Sequence, residues 1–485
     1  LKNPFKETAV GTIDAIVFYS LLVVIALAAI PYGTVQPWWQ AVFQCLVFAL
    51  AALSVLQNLI WPDQTTRRIS LVDRQLLWPI LALIAFAFLQ TLPMPAFIVA
   101  SHAGSTLSAD PFQTRQFIVQ ILALLIAGWL LITHANSQQR LRRLVETVIT
   151  AGTVSALFGL WRQASQNTPG FGLPQLLPGF GYAQFINPNH FAFLMELALG
   201  LALGIVVCRG VSGKRLAIYL IAAVPMWIAL VLANSRGGIL SILCQVLFLA
   251  LLLSVGRESR RFERDSSKLT NRLLLSSRNV IVRGVLVAAL LIGAITMIVV
   301  VGGDPLAGRV DSIAVELDRK TADAFTLRPA IWRATWELIK DHPIAGVGFG
   351  GYGIAITRYH AASGETTPQE AHNDYLELLA SGGVIGLAIG LWFVLALVKT
   401  AKRKLNKLRA ADGADVAASF ERAVTLGAIA GILTVAVHSL VDFGLHITIN
   451  TVVFTVLVAI VASKQSAIRN EPDGGNWRKH KTFEF

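Results

Sequence analysis

The sequence predicts an all-α polytopic membrane protein of about twelve transmembrane helices, with a periplasmic helical loop subdomain. Three observations predict it. Apolar residues make up 55% of the chain, and mean hydropathy is +0.62. They arrive in repeated blocks of about 20, the length that crosses a bilayer. Asp, Glu, Lys and Arg make up only 14%, where soluble domains carry about 25%.

Spans are expected at 13–30, 41–60, 76–92, 117–133, 144–161, 190–208, 216–233, 239–255, 280–301, 376–398, 423–441 and 447–463. Pro31, Pro62 and Pro93 follow three span ends, where helices tend to stop. The chain then divides into nine spans over 1–301, a loop subdomain over 302–375, three spans over 376–463 and a tail over 464–485. No Ala-x-Ala cleavage site follows the first span, which is expected to remain as an anchor.

Charge sets the orientation. With the N-terminus inside, the cytoplasmic segments hold 31 of the 41 Lys and Arg, as the positive-inside rule requires. Both termini are then cytoplasmic, and a bacterial inner membrane is the expected location. The net charge of +13 is thus mostly a topology signal. A nucleic-acid footprint would need a basic face with motif support, and none is seen. The basic run at 256–283 reads as a solvated loop beside anionic lipid. The three cysteines, Cys45, Cys208 and Cys244, all lie in apolar blocks and suggest no disulfide framework.

Four outer segments stand out: the Gly/Pro-rich 162–189, the tight NSRGG at 234–238, the long 302–375 and the turn HSLVDFGLH at 438–446. Within the third, 328–343 has helical periodicity. Ile331, Trp332, Thr335, Trp336 and Ile339 fall on one side, suiting a helix at the membrane surface. GVGFGGYG (346–353) neither follows a strand nor opens a helix, so it is not a dinucleotide fingerprint. It reads as a turn allowing close backbone approach.

The chemistry-bearing residues gather in the same segments. Arg236 lies between two spans, where a cation is costly unless paired or at the headgroups. Arg328 and Arg333 are five apart on the surface helix and point in different directions; Arg162 and Arg358 are further outer cations. Guanidinium groups grip phosphate through planar, bidentate bonds. His372, in EAHNDYLELL, stands at a span entrance with Asp374 and Glu377 close in sequence. Imidazole can take a proton near neutral pH. His190 opens the sixth span, with the intramembrane Glu196 deeper along it. His438, Asp442 and His446 are four apart, a spacing that suits a metal on one helical face. The segment crosses a tight turn, however, and no HExxH or paired CxxC occurs. No metal and no cofactor are therefore expected.

These residues resemble the O-antigen ligase and O-antigen polymerase (Wzy-type) superfamily of bacterial envelope glycan enzymes. The strongest match is His-Asn, nine residues, then Gly-x-x-Gly: here His372, Asn373, Gly383 and Gly386. Ser235 to Gly238, Arg328 with Trp332, His342 to Gly350, Asn187 to Ala192 and His438 to Ile447 resemble the same superfamily in the same order. The resemblance covers about 180–460.

It implies a GT-C-type membrane glycosyltransferase that takes a glycan from undecaprenyl pyrophosphate on the periplasmic side, without nucleotide sugar. It implies His372 as general base and Arg236 and Arg328 as phosphate-binding groups, with Arg333 in reserve. Asn189, His190, Glu196, Asn373, Asp374, His438 and Asp442 are expected in support. Partners would be the lipid-linked glycan, a lipid A–core or glycan acceptor, membrane lipids and, for a polymerase, a chain-length regulator. Ligase and polymerase differ only in acceptor, and ligase is favoured here. The rival class is a transporter or lipid-glycan flippase, in which Glu196 and Asp14 would couple ions. Against it, the polar cluster lies at the outer surface, whereas transporters bind at the midplane.

Overall fold

A computed structural model describes residues 4–62, 74–93, 106–165, 173, 176, 181–261, 328–360, 368–410 and 416–463. Twelve principal helices occur among them and no strand. They are α1 (Pro4–Ala28), α2 (Pro37–Ile60), α3 (Arg74–Gln90), α4 (Pro111–His134), α5 (Gln138–Ala164) and α6 (Pro188–Val207). Then come α7 (Lys214–Leu232), α8 (Arg236–Arg261), α9 (Arg328–Asp341), α10 (Asp374–Ala410), α11 (Val416–His438) and α12 (Thr448–Ala462). Eight are long and apolar enough to cross a membrane; Arg74–Gln90, Arg236–Leu251 and Thr448–Ala462 are apolar but shorter. These eleven coincide with eleven of the twelve expected spans. The one expected at 280–301 lies outside the described residues, as do 302–327 of the loop segment and the tail.

Local chemistry sets the helix starts. Pro37, Pro111 and Pro188 sit at first-turn positions, where a missing N–H costs nothing. Asp110 accepts from the amides of Phe112 and Gln113, and Ser137 from that of Arg140. Asn187 caps α6 through Asn189 N. Such caps satisfy amides that the helix leaves free.

Helix α6 is the axis of the bundle: every residue from His190 to Val207 is buried. It packs most closely on α11, and the reason is small residues on both. Gly200 and Gly204 face Gly427 and Gly431; a Cβ on Gly204 would lie 2.4 Å from Gly427 Cα. In lipid, where hydrophobicity does not drive helix association, such close approach does.

The connecting residues 29–36, 91–93, 106–110, 181–187, 233–235 and 439–447 gather with α9 at one end. Gln184 donates to Ala29 O (2.8 Å), Ile449 N to Gly33 O (3.1 Å) and Ala109 N to Val347 O (2.8 Å). A separate apolar cluster lies there: Ala334, Leu338, Ile339, Val347, Tyr352, Ile356, Ala371 and Ala380. Helix α9 is amphipathic, but its buried stripe is rotated from the expected one. Ala334 and Leu338 are buried and Trp336 is exposed, because α9 packs on α10 and on Tyr352, whose hydroxyl bonds Thr335 (2.7 Å).

The glycine-rich run acts as the expected close-approach turn. Gly346, Gly348 and Gly350 have positive φ. Val347 N and Gly348 N donate to Ala380 O and Ser381 O (both 3.0 Å). Gly383 (φ 59°) breaks α10 there, and a Cβ on it would lie 2.2 Å from Ile344 O. The first arm of α10, 374–382, is thereby offset from the span that follows.

At the opposite end, Asp14 meets His134 Nδ1 (2.6 Å) and Arg140, and His134 Nε2 meets Ser54 Oγ (3.1 Å). Lys404 and Glu421 form a second buried pair there.

Candidate active site at one end of the bundle

Asp442 is the hub of the end where the connections gather. It stands in the turn after α11, and its side chain is 0% exposed. Oδ2 accepts from Arg328 Nη2 (3.1 Å) and from Asn189 Nδ2. Oδ1 accepts from Phe443 N (2.9 Å) and lies 3.4 Å from His372 Nδ1. Burial pushes this carboxyl up. His372, whose Nδ1 faces it at 3.4 Å, and the charges of Arg328 and His190 outweigh it and hold the group down at about 2. It is an anion at any ordinary pH.

His372 is held from both sides. It sits at φ 51°, an uncommon conformation for a non-glycine residue. Just before it, Ala371 O accepts from Trp332 Nε1 (3.0 Å) and Ala371 N donates to Glu377 Oε2 (3.0 Å). Just after it, Asn373 caps α10 by accepting from Tyr375 N and Leu376 N, and its amide donates to Leu440 O. Asp374 N donates to Ser439 O (3.0 Å). The ring packs edge-on against Phe443 (centroids 4.7 Å apart), and His190 does the same. His372 keeps 30% of its side chain exposed.

The arginines divide. Arg328 opens α9 and reaches Asp442 while 38% exposed, so the rest of its fork stays free for another anion. Arg333 lies on the exposed side of α9, away from the stripe that packs on α10. Arg236 opens α8 and is exposed. The next residue, Gly237, packs on His438 and Val441: a Cβ there would lie 2.6 Å from His438 Nε2. Arg236 thus starts α8 beside the residue that packs on the end of α11. Arg162 is fully buried and donates to Ala183 O (2.8 Å), so it is an internal brace.

The histidine and acid pairings differ from the sequence expectation. Asp374 and Glu377, close to His372 in sequence, turn away from it, and Asp442, seventy residues on, takes their place. Glu196 pairs with His438 Nδ1 (2.7 Å) rather than with His190, and Phe193 stacks on His438 (4.2 Å). His438, Asp442 and His446 do not share a face, because α11 ends at His438 and a 3-10 turn covers Gly444–His446. His446 instead meets Glu377 Oε1 (3.0 Å), Glu370 Oε2 (3.6 Å) and Asp374 Oδ1 (3.4 Å).

Three contributors are not apparent from the sequence. Asn450 donates to His190 O and Gly444 O (3.1 Å each) and fixes the turn. Phe443 separates the histidines, and Glu370 joins His446. Only Glu370 has a local signal, standing two residues before His372 in EAHND.

Fold and site together define a polytopic helical membrane protein that gathers cations, imidazoles and carboxylates at one end of its bundle. Residues 221–391 match the family model for O-antigen ligase. The match supports the O-antigen ligase/polymerase superfamily and, in general terms, a membrane glycosyltransferase. It contains Arg236, Arg328, Arg333 and His372 and leaves Asn189, His438 and Asp442 outside. No curated protein matches the chain.

Proposed function

We propose that the protein transfers a glycan from an undecaprenyl-pyrophosphate donor to an acceptor hydroxyl on the periplasmic face of the bacterial inner membrane, by an inverting single displacement. One observation carries the reading: Arg328 pairs with one oxygen of the buried carboxylate of Asp442 (3.1 Å), and His372 Nδ1 faces the other (3.4 Å). A candidate base and a candidate phosphate-binding cation are thereby set side by side.

Asp442 faces Nδ1 of His372, which favours the tautomer with a proton on Nδ1 and leaves Nε2 as the acceptor. Nε2 takes the acceptor hydroxyl's proton as its oxygen bonds to the anomeric carbon. The anomeric carbon–phosphate oxygen bond breaks, and undecaprenyl pyrophosphate leaves with the electron pair. Arg328, with Arg236 from the start of α8, stabilises the charge on that leaving group. Such electrostatic stabilisation is usually what lowers the barrier most. Apolar faces between spans hold the polyprenyl tail. Asn189 and His190 keep Asp442 and Phe443 in place.

The test uses purified protein in detergent with lipid-linked glycan and an acceptor. His372→Ala should lower transfer by about 10²–10⁴-fold, the usual worth of a positioned base, with the melting temperature preserved. Undiminished transfer would remove His372 from the reaction. Lipid A–core as the productive acceptor makes the protein a ligase, the reading favoured here. A second lipid-linked repeat makes it a polymerase, and no new glycosidic bond points to a flippase.

A further inference from the structure

Beside this site lies a second polar cluster that the transfer chemistry does not use. His446, on the turn after α11, faces three carboxylates from the segment around His372. Its Nε2 lies 3.0 Å from Glu377 Oε1 and 3.6 Å from Glu370 Oε2, and its Nδ1 lies 3.4 Å from Asp374 Oδ1. One atom each from Glu370, Glu377 and His446 lies within 4.8 Å of the others. We infer that Glu370, Glu377 and His446 Nε2 form a divalent-cation site, with Asp374 orienting the imidazole.

Charge is the first argument. Among the described residues, the basic group that faces these carboxylates is His446. Three carboxyl groups face one imidazole, and Glu370 hydrogen-bonds Glu377, so a proton is shared within the cluster at the place a divalent cation would take over. The side chains of Glu377 and Asp374 are only 8% and 13% exposed. Buried charge of one sign is costly unless a counter-ion or protons neutralise it.

Geometry is the second. A single Nε2–H cannot serve two carboxylates, and 3.6 Å is too long for a hydrogen bond. Around a cation with bonds of about 2.1 Å, neighbouring ligand atoms are roughly 3.0 Å apart in an octahedron and roughly 3.4 Å in a tetrahedron. The two Nε2 separations bracket that range. Ligand support is the third argument. Metal-bound histidine characteristically donates its other N–H to a carboxylate, and Nδ1 faces Asp374. Asp374 is itself held by Ser439 Oγ (2.6 Å), and Glu377 by Ala371 N (3.0 Å). One imidazole with two carboxylates suits Mn²⁺ or Zn²⁺. His446 is 39% exposed, so the site has an entry path.

Such an ion would tie the α11–α12 turn to the segment that presents His372, since Glu370 and His372 flank Ala371. That consequence rests on the function proposed above; the binding does not.

The full chain in detergent, stripped with chelator, is titrated with Mn²⁺ and followed by electron paramagnetic resonance, without donor or acceptor. One saturable site is expected. Glu377→Gln and His446→Ala should each weaken it at least about tenfold, and Asp374→Asn about 10–100-fold, as an orienting partner does. Zn²⁺ should compete. Glu337→Gln, on the exposed side of α9 and paired with Lys340, should bind as the parent does. If Glu377→Gln does not fold, Glu370→Gln, at a more exposed ligand, takes its place. Absence of a saturable site, or affinity unchanged in both His446→Ala and Glu370→Gln, would overturn the proposal and leave the cluster holding protons only.

Discussion

Replacing Asp442 by Asn puts the greatest demand on the proposed site. The substitution keeps the shape and removes the charge. In the parent, the carboxylate takes hydrogen bonds from Arg328, Asn189 and the Phe443 amide and faces His372. An Asn can accept with one oxygen only, and its amide must face another donor. At least one of Asn189 Nδ2 and Phe443 N then loses its acceptor, which costs about 1–3 kcal/mol. Arg328 adds little to that loss, because it is partly exposed and can be solvated. The expected stability loss is therefore about 1–3 kcal/mol, a shift in melting temperature and not an unfolded protein. The catalytic loss should be larger, since His372 loses the group that sets its tautomer and Arg328 its anchor. Transfer should fall by about 10²–10⁴-fold. The assay is glycan transfer by purified protein, with a thermal melt on the same preparation. The double variant with His372→Ala should be slower than His372→Ala alone only by the part that comes from Arg328's anchor, less than the product of the two single losses, because coupled groups are not additive. Unchanged transfer in Asp442→Asn, or losses that multiply in the double variant, would refute the coupling.

Four further outcomes follow from the same geometry. Arg328→Ala should reduce transfer strongly and Arg333→Ala little, measured as initial rates; equal losses would remove Arg328's special position. Arg328→Lys should not restore the rate fully, because an ammonium lacks the planar fork. Asp442's folded pKa of about 2 lies below its unfolded value near 4. Its contribution to stability is therefore complete above about pH 5 and is lost as pH falls toward 2. The melting difference between the parent and Asp442→Asn should be flat from about pH 5 to 8 and shrink below about 4. Gly204→Leu forces side-chain atoms into the Gly427 backbone and should lower stability by at least about 1–3 kcal/mol, read as a lower melting temperature.

The membrane class, eleven of the helical spans and the segments that meet at the candidate site are legible in the chain alone. Hydropathy, proline placement and basic-residue counts are local properties, and a bilayer imposes one length on every spanning helix. The 346–353 run is likewise marked there as a turn that allows close backbone approach. Which side chains meet is settled only by the packing. Asp374 and Glu377 are neighbours of His372 in the chain, yet the capped start of α10 turns them toward His446, and Asp442 comes from the far side of two spans. Glu196 finds His438 because the α6–α11 glycines bring those helices together. The ending of α11 at His438 separates three residues whose spacing would suit one face of a continuous helix. Partner choice among ionisable groups depends on how helices stack and where they stop, and no periodicity in a single chain encodes that.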